Sequence, residues 1–178
     1  LIMFYGNVPA QKSLIYFKVG IPHNIGNTQY TNWDGILNLG FQYSHLRKKS
    51  LYFNVYLNYD RFRESSSNWS STQHVYKIGL GFQYHLELSK STKMYPKFGV
   101  GYTYQSTEHT RYESARENSG LNLLIDLDLF YKIFKEVYFG IGIRYDFVRL
   151  AEPSYPTATG YYTHIHTLIP MLQILIII

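Results

Sequence analysis

Two groups of residues have the types and spacing to do chemistry. His164-Ile165-His166-Thr167 puts two imidazoles on one face of an extended segment, where they could ligate a metal or trade protons. Two ligands are too few for a metal site, and the chain has no cysteine to complete one. Asp126 and Asp128 also share a face, and Arg144 and Asp146 repeat the spacing one segment later. They could form an acid–base group, but charges held in an interior must be paired, so a structural ion-pair network is the plainer assignment. Asn68-Trp69-Ser70 matches a glycosylation sequon and is most simply a polar loop tip. The reading therefore assigns no catalytic residue, no metal and no cofactor.

The elements that must position these residues alternate with period two. Leu51, Phe53, Val55, Leu57 and Tyr59 share one face, with Tyr52, Asn54, Tyr56 and Asn58 on the other. Such alternation predicts a strand with one apolar face. The pattern recurs at about 13–22, 35–46, 51–62, 73–88, 94–106, 120–132, 137–148 and 162–177. These segments exceed the five or six residues usual in soluble sheets and match the length a tilted strand needs to cross a bilayer. No apolar run long enough for a transmembrane helix precedes the last few positions. A mean hydropathy of −0.21 is compatible with a barrel, because only alternate residues would meet lipid. The segments at Pro96 and Pro170 lack a ladder donor and should pair irregularly.

Connections alternate between short and long. Arg47 to Lys49, Ser89 to Lys93 and Ile133 to Glu136 are short; His23–Asp34, Arg63–Thr72, Thr107–Ser119 and Arg149–Tyr161 are longer and polar. This predicts an eight-stranded, antiparallel, up-and-down transmembrane β-barrel over residues 11–178, with short periplasmic turns and external loops. Residues 1–10 read as the tail of a signal peptide, with Val8-Pro9-Ala10 at the cleavage site. Both termini are then periplasmic.

The apolar face carries no charge in its central band. Its aromatics collect toward the ends: Tyr59, Tyr76, Tyr104, Phe147 and Tyr162 at the loops, Tyr43, Tyr84 and Tyr131 at the turns. The opposite face takes Lys18, Asp60, Lys77, Glu87, Lys97, Asp126, Asp128, Lys132, Arg144 and Asp146, a charge-balanced set expected to pair inside the barrel. The turns then carry a surplus of +6, from Lys12, Arg47, Lys48, Lys49, Lys90, Lys93 and Lys135 against Glu136, and the loops −1, so the net +5 comes from the turns and is no argument for nucleic acid. Gly20, Gly40, Gly79, Gly81, Gly99, Gly101, Gly140 and Gly142 fall inward, where Tyr52, Tyr56, Tyr95 and Tyr138 can lie over them. Trp33, Trp69, Tyr112, Tyr155 and Tyr161 are the candidate loop contacts for a partner.

In strand count, loop alternation and charged interior, residues 11–178 resemble the small outer-membrane β-barrels that include OmpX and the membrane domain of OmpA. The resemblance implies a Gram-negative outer membrane, lipid neighbours and assembly by the outer-membrane insertion machinery. Members usually end in an aromatic residue, whereas this sequence ends Leu175-Ile176-Ile177-Ile178. Lipid A deacylases, barrels of the same size, carry an outward His-x-Ser pair with a carboxylate; here His166 stands where the serine would be. The expected function is non-enzymatic: a membrane anchor or structural protein, or a loop-mediated interaction protein. The alternatives are a narrow porin-like channel and, behind it, a lipid A-modifying enzyme.

Overall fold

The alternating residues form strands, and the strands pair in sequence until the last meets the first. The computed structural model describes residues 13–25, 33–48, 50–66, 69–109, 116–151 and 164–178. Among these are eight long strands: β1 (Ser13–Gly20), β2 (Asp34–Lys48), β3 (Leu51–Ser66), β4 (Trp69–Tyr84), β5 (Thr92–His109), β6 (Arg116–Phe134), β7 (Val137–Leu150) and β8 (His164–Ile177). Each pairs antiparallel with its neighbours in sequence, and β8 pairs with β1, which closes the barrel. Two-residue strands at His23–Asn24 and Leu86–Glu87 extend the ladders of β8 and β5. Closure matters because an open edge would leave unpaired amides facing lipid.

The register fixes the size of the barrel. Starting at Ser13, the partners run His45, Phe53, Phe82, Phe98, Ile125, Tyr145 and Leu168, and return to the first segment at His23. The circuit climbs ten residues, from 13 to 23, over eight strands. With ordinary strand spacings that shear tilts the strands by roughly 40° to the axis.

Side chains divide as the period dictates. Phe17, Leu39, Leu57, Ile78, Leu80, Val100, Ile125, Ile141 and Leu172 are exposed on the wall. Facing rings stabilise it, with Phe17 5.5 Å from Phe41 and Phe53 5.7 Å from Phe82.

Three expectations change. The segments at 63–72 and 107–119, expected as loops, are largely ladder: Arg63 pairs with Thr72, Ser66 with Trp69 and Thr107 with Arg116. Their residues are mostly polar on both faces, so the hydrophobic period stops before the pairing does.

Pro96 and Pro170 cause no bulge; Pro96 pairs with Leu127 and Pro170 with Ile143 in unbroken register. Their irregularity is confined to the other flank. The Lys132 amide donates to the Ser91 carbonyl at 2.8 Å, so odd residues of β5 bond to β6 and Pro96 faces β4. The β4–β5 ladder stops at Gln83 and Lys97, one pair short of that proline. By the same parity Pro170 faces β1, opposite the break between Gly20 and His23. Each missing donor falls where the ladder has a gap.

Glu87 and Lys132 do not join the interior set. Both are exposed at the turn end, where alternation fails at His85 and at a register shift between Lys132 and Phe134. Glu87 lies beyond the first, where the sides no longer follow parity, and Lys132 is the last pair before the second, at the open rim.

Candidate functional site

The lumen is filled in layers. At the turn end, Leu14, Tyr16, Tyr52, Tyr95, Phe130, Tyr138, Leu175 and Ile177 form an apolar cluster. Its rings meet edge-on, with Tyr16 6.0 Å and Phe130 5.8 Å from Tyr95. At the loop end, Phe62, Val75, Val148, Leu150 and Ile165 form a second cluster, and Trp33 packs against it.

Between the clusters lie the charges. Asp126 accepts from Arg144 Nε at 2.7 Å, Arg144 Nη2 at 3.1 Å and Lys18 Nζ at 2.6 Å. Lys18 reaches Asp128 at 3.5 Å, and Asp128 meets Lys97 at 2.5 Å. Nearer the loops, Lys77 bridges Asp60 at 2.5 Å and Asp146 at 2.6 Å. The first chain carries three positive and two negative groups, the second one positive and two negative, so the eight charges cancel. All are at most 2 % exposed at the side chain. In such a site each charge is held by its partners, and removing one strands another.

Neutral amides complete the network, and sequence reasoning passed them over. Asn38 donates to Asp60, and Gln173 to Asp128 at 2.5 Å. Gln42 donates to Gln83 at 2.6 Å, Gln83 donates to the Tyr16 hydroxyl at 2.7 Å, and Lys97 donates to Gln42 at 3.2 Å. The Lys97 ammonium also lies 3.8 Å from the Tyr16 ring centre. The inward parity of these Asn and Gln residues was the available signal.

Glycines admit the large rings. A methyl group on Gly99 would come within 2.8 Å of the Tyr56 ring, and one on Gly79 within 2.3 Å of its hydroxyl. Tyr56 lies across this glycine patch and accepts from Asn122 at 3.1 Å.

At the mouth by the turns, His85 sits in the connection past the end of β4. It stacks on Tyr95 with centres 5.1 Å apart and planes at 14°. Burial, helped by the charge of Lys93, lowers its pKa to about 4. Lys93, read from sequence as a turn cation, turns inward and lies 4.8 Å from the Tyr138 ring centre.

His164 and His166 stand on the outer wall near the loops. The Tyr145 hydroxyl is 2.6 Å from His166 Nδ1, and Phe147 lies 5.7 Å from His164 and 5.0 Å from His166. Among the described residues no three His, Asp or Glu side chains gather as a metal site would need. Of the loop contacts, Trp33 is half-buried on the loop-end cluster, held there as Asn24 donates to its carbonyl at 2.9 Å. It is part of the packed end rather than a free loop side chain. Trp69 pairs through its backbone with Ser66. Tyr112, Tyr155, Tyr161 and Tyr162 lie outside the described residues, as do residues 1–10 with the expected cleavage site.

No family model matches the sequence, and no curated protein matches it. Solved structures do. Neisserial surface protein A is 13% identical, with 92% of this chain and 96% of that one covered and a TM-score of 0.68. Ail, the attachment invasion locus protein of Yersinia pestis, in complex with the heparin analogue sucrose octasulfate, is 11% identical, with 94% and 97% covered and a TM-score of 0.56. The eight-stranded circuit, the apolar wall and the filled lumen together give this chain the fold of the small outer-membrane β-barrels.

Proposed function

We propose that the chain spans the outer membrane of a Gram-negative cell, turns and termini toward the periplasm, and acts without catalysis as an anchor whose loops meet an extracellular or membrane-protein partner. The observation that carries this reading is the lumen, closed by an apolar cluster at each end and crossed between them by buried ion pairs. Among the described residues this interior is filled by buried side chains, which leaves the wall and the loops to act. The wall suits lipid, since its exposed side chains are apolar and tyrosines lie toward both rims.

Recording from single barrels in planar bilayers tests it. The closed lumen gives no discrete conductance steps; regular steps would favour the narrow channel. Mass spectrometry of lipid A from cells with and without the protein tests the enzyme reading through His164 and His166, and an unchanged acyl pattern is expected. Pull-down with the tagged protein from outer membranes, repeated with residues 152–163 replaced by a short Gly-Ser linker, reads the partner. A partner held equally by both forms would overturn a role for those residues.

A further inference from the structure

Going up the outer wall from the turns, no charged side chain among the described residues faces outward until one level is reached. On one side of the barrel that level holds Arg61 on β3, directly opposite His74 on β4. On another it holds Arg149 on β7, directly opposite His164 on β8. The two pairs are four strands apart in a barrel of eight, so they stand on opposite sides.

Their heights agree as well. Arg61 lies eight residues above Phe53, and Arg149 lies four above Tyr145, to which the register carries Phe53 half-way round. That half circuit itself climbs five residues, so the two arginines differ in height by about one residue.

A tyrosine–histidine contact lies below each arginine, made at the first by His74 itself and at the second by His166, two residues below the His164 that stands opposite Arg149. Below Arg61, the Tyr59 hydroxyl is 2.7 Å from His74 Nδ1, and below Arg149, that of Tyr145 is 2.6 Å from His166 Nδ1. When the hydroxyl donates, the neutral ring carries its proton on Nε2, which is left as a donor away from the tyrosine. Both arginines are exposed, and among the described residues neither has a carboxylate within ion-pair distance. Glu117, two strands along the row from His74, is hydrogen-bonded by Tyr104.

We propose that these two stations each clamp the phosphate of a lipid headgroup in the loop-side leaflet. A guanidinium binds a phosphate through two parallel donors, and an imidazole Nε2–H adds a third. The acyl chains would then run down the uncharged wall below. The aromatic row Tyr59, Tyr76 and Tyr104, with ring centres 5.2 and 6.3 Å apart, marks the same boundary between hydrocarbon and headgroups. This rests on the membrane-spanning reading above and adds to it a lipid class, a stoichiometry and the residues responsible.

Native mass spectrometry of the detergent-purified full chain tests the proposal, with bisphosphorylated lipid A as probe and the same lipid stripped of its phosphates as control. Two phosphorylated lipids should be retained per barrel, one by Arg61→Gln, one by Arg149→Gln, and none above the control by the double variant. Retention unchanged in the double variant would overturn the clamps, as it would if the basic turns held the lipid. Equal retention of the stripped lipid would also overturn them. Heat-dependent gel migration and an all-β circular dichroism spectrum read the barrel separately. Loss of those signals in the parent would count against the membrane-spanning reading; their survival with no lipid selectivity would count against the clamps alone.

Discussion

Asp126 and Arg144 face each other across β6 and β7 and are joined by two parallel hydrogen bonds, one from Nε at 2.7 Å and one from Nη2 at 3.1 Å. The strands meet through the short turn at Phe134 to Val137, so the register that places them is tightly fixed. Lys18 binds the same carboxylate at 2.6 Å.

Arg144→Met should therefore lower the urea unfolding midpoint clearly, a loss of about 3–5 kcal/mol in unfolding free energy if the site stays dry. Lys18 remains to hold Asp126, which pulls the loss toward the lower figure. Adding Asp126→Leu should recover part of the loss, because the stranded carboxylate is gone. Recovery stays incomplete, since Lys18 must then depend on Asp128, 3.5 Å away. A double variant no more stable than the weaker single one would show the two residues to be uncoupled.

Tyr56 and Gly99 should also be coupled, this time by space. Gly99→Ala presses a methyl group against the Tyr56 ring and near the Leu124 side chain at 3.1 Å, and should cost about 1–3 kcal/mol. The nearest atoms belong to side chains, so Tyr56→Val should relieve much of that cost when the two changes are combined. Equilibrium unfolding of the four proteins in detergent checks this, and strictly additive losses would refute the contact.

His85 should make stability fall with acid. Its folded pKa of about 4 lies below the ordinary value near 6.5, so the unfolded chain binds the proton first. The contribution is whole above about pH 6.5 and is lost as pH falls toward 4, on the order of 2–3 kcal/mol at most. His85→Phe keeps the stack on Tyr95 and cannot titrate. Its unfolding midpoint should drop less than the parent's between pH 7 and 4, and parallel curves would remove His85 as the cause. Interior carboxylates are common to both proteins and cancel in the comparison.

The wall was legible because each outward residue from Leu51 to Tyr59 has an inward polar neighbour, and closure follows once eight such segments are paired. Asp60, Lys77, Lys97, Asp126, Asp128, Arg144 and Asp146 could be placed inside by parity alone. Who pairs with whom could not: Lys77 reaches Asp146 on β7, across the lumen, and only the register sets that distance. Parity also misled wherever the ladder breaks. Glu87 follows a break and turns out, Lys132 is exposed at the rim just before one, and Lys93 turns in under Tyr138. The Arg61–His74 and Arg149–His164 stations were invisible for a related reason: each pair is adjacent only across strands, and their equal height depends on the climb of the whole circuit.

That climb restricts the widths the barrel can take. A slip of one residue anywhere in the circuit would turn the buried face of every strand beyond it to the outside, so only even steps preserve the pattern. The nearest alternatives to ten are therefore eight and twelve, and they change the tilt enough to narrow or widen the radius by roughly a tenth. The narrower circuit would drive Tyr56 into glycines that already have no room for a methyl group. The wider one would pull Lys77 away from a carboxylate it now touches at 2.6 Å. Diameter in this molecule is thus a discrete variable, and the side chains inside it select a single value.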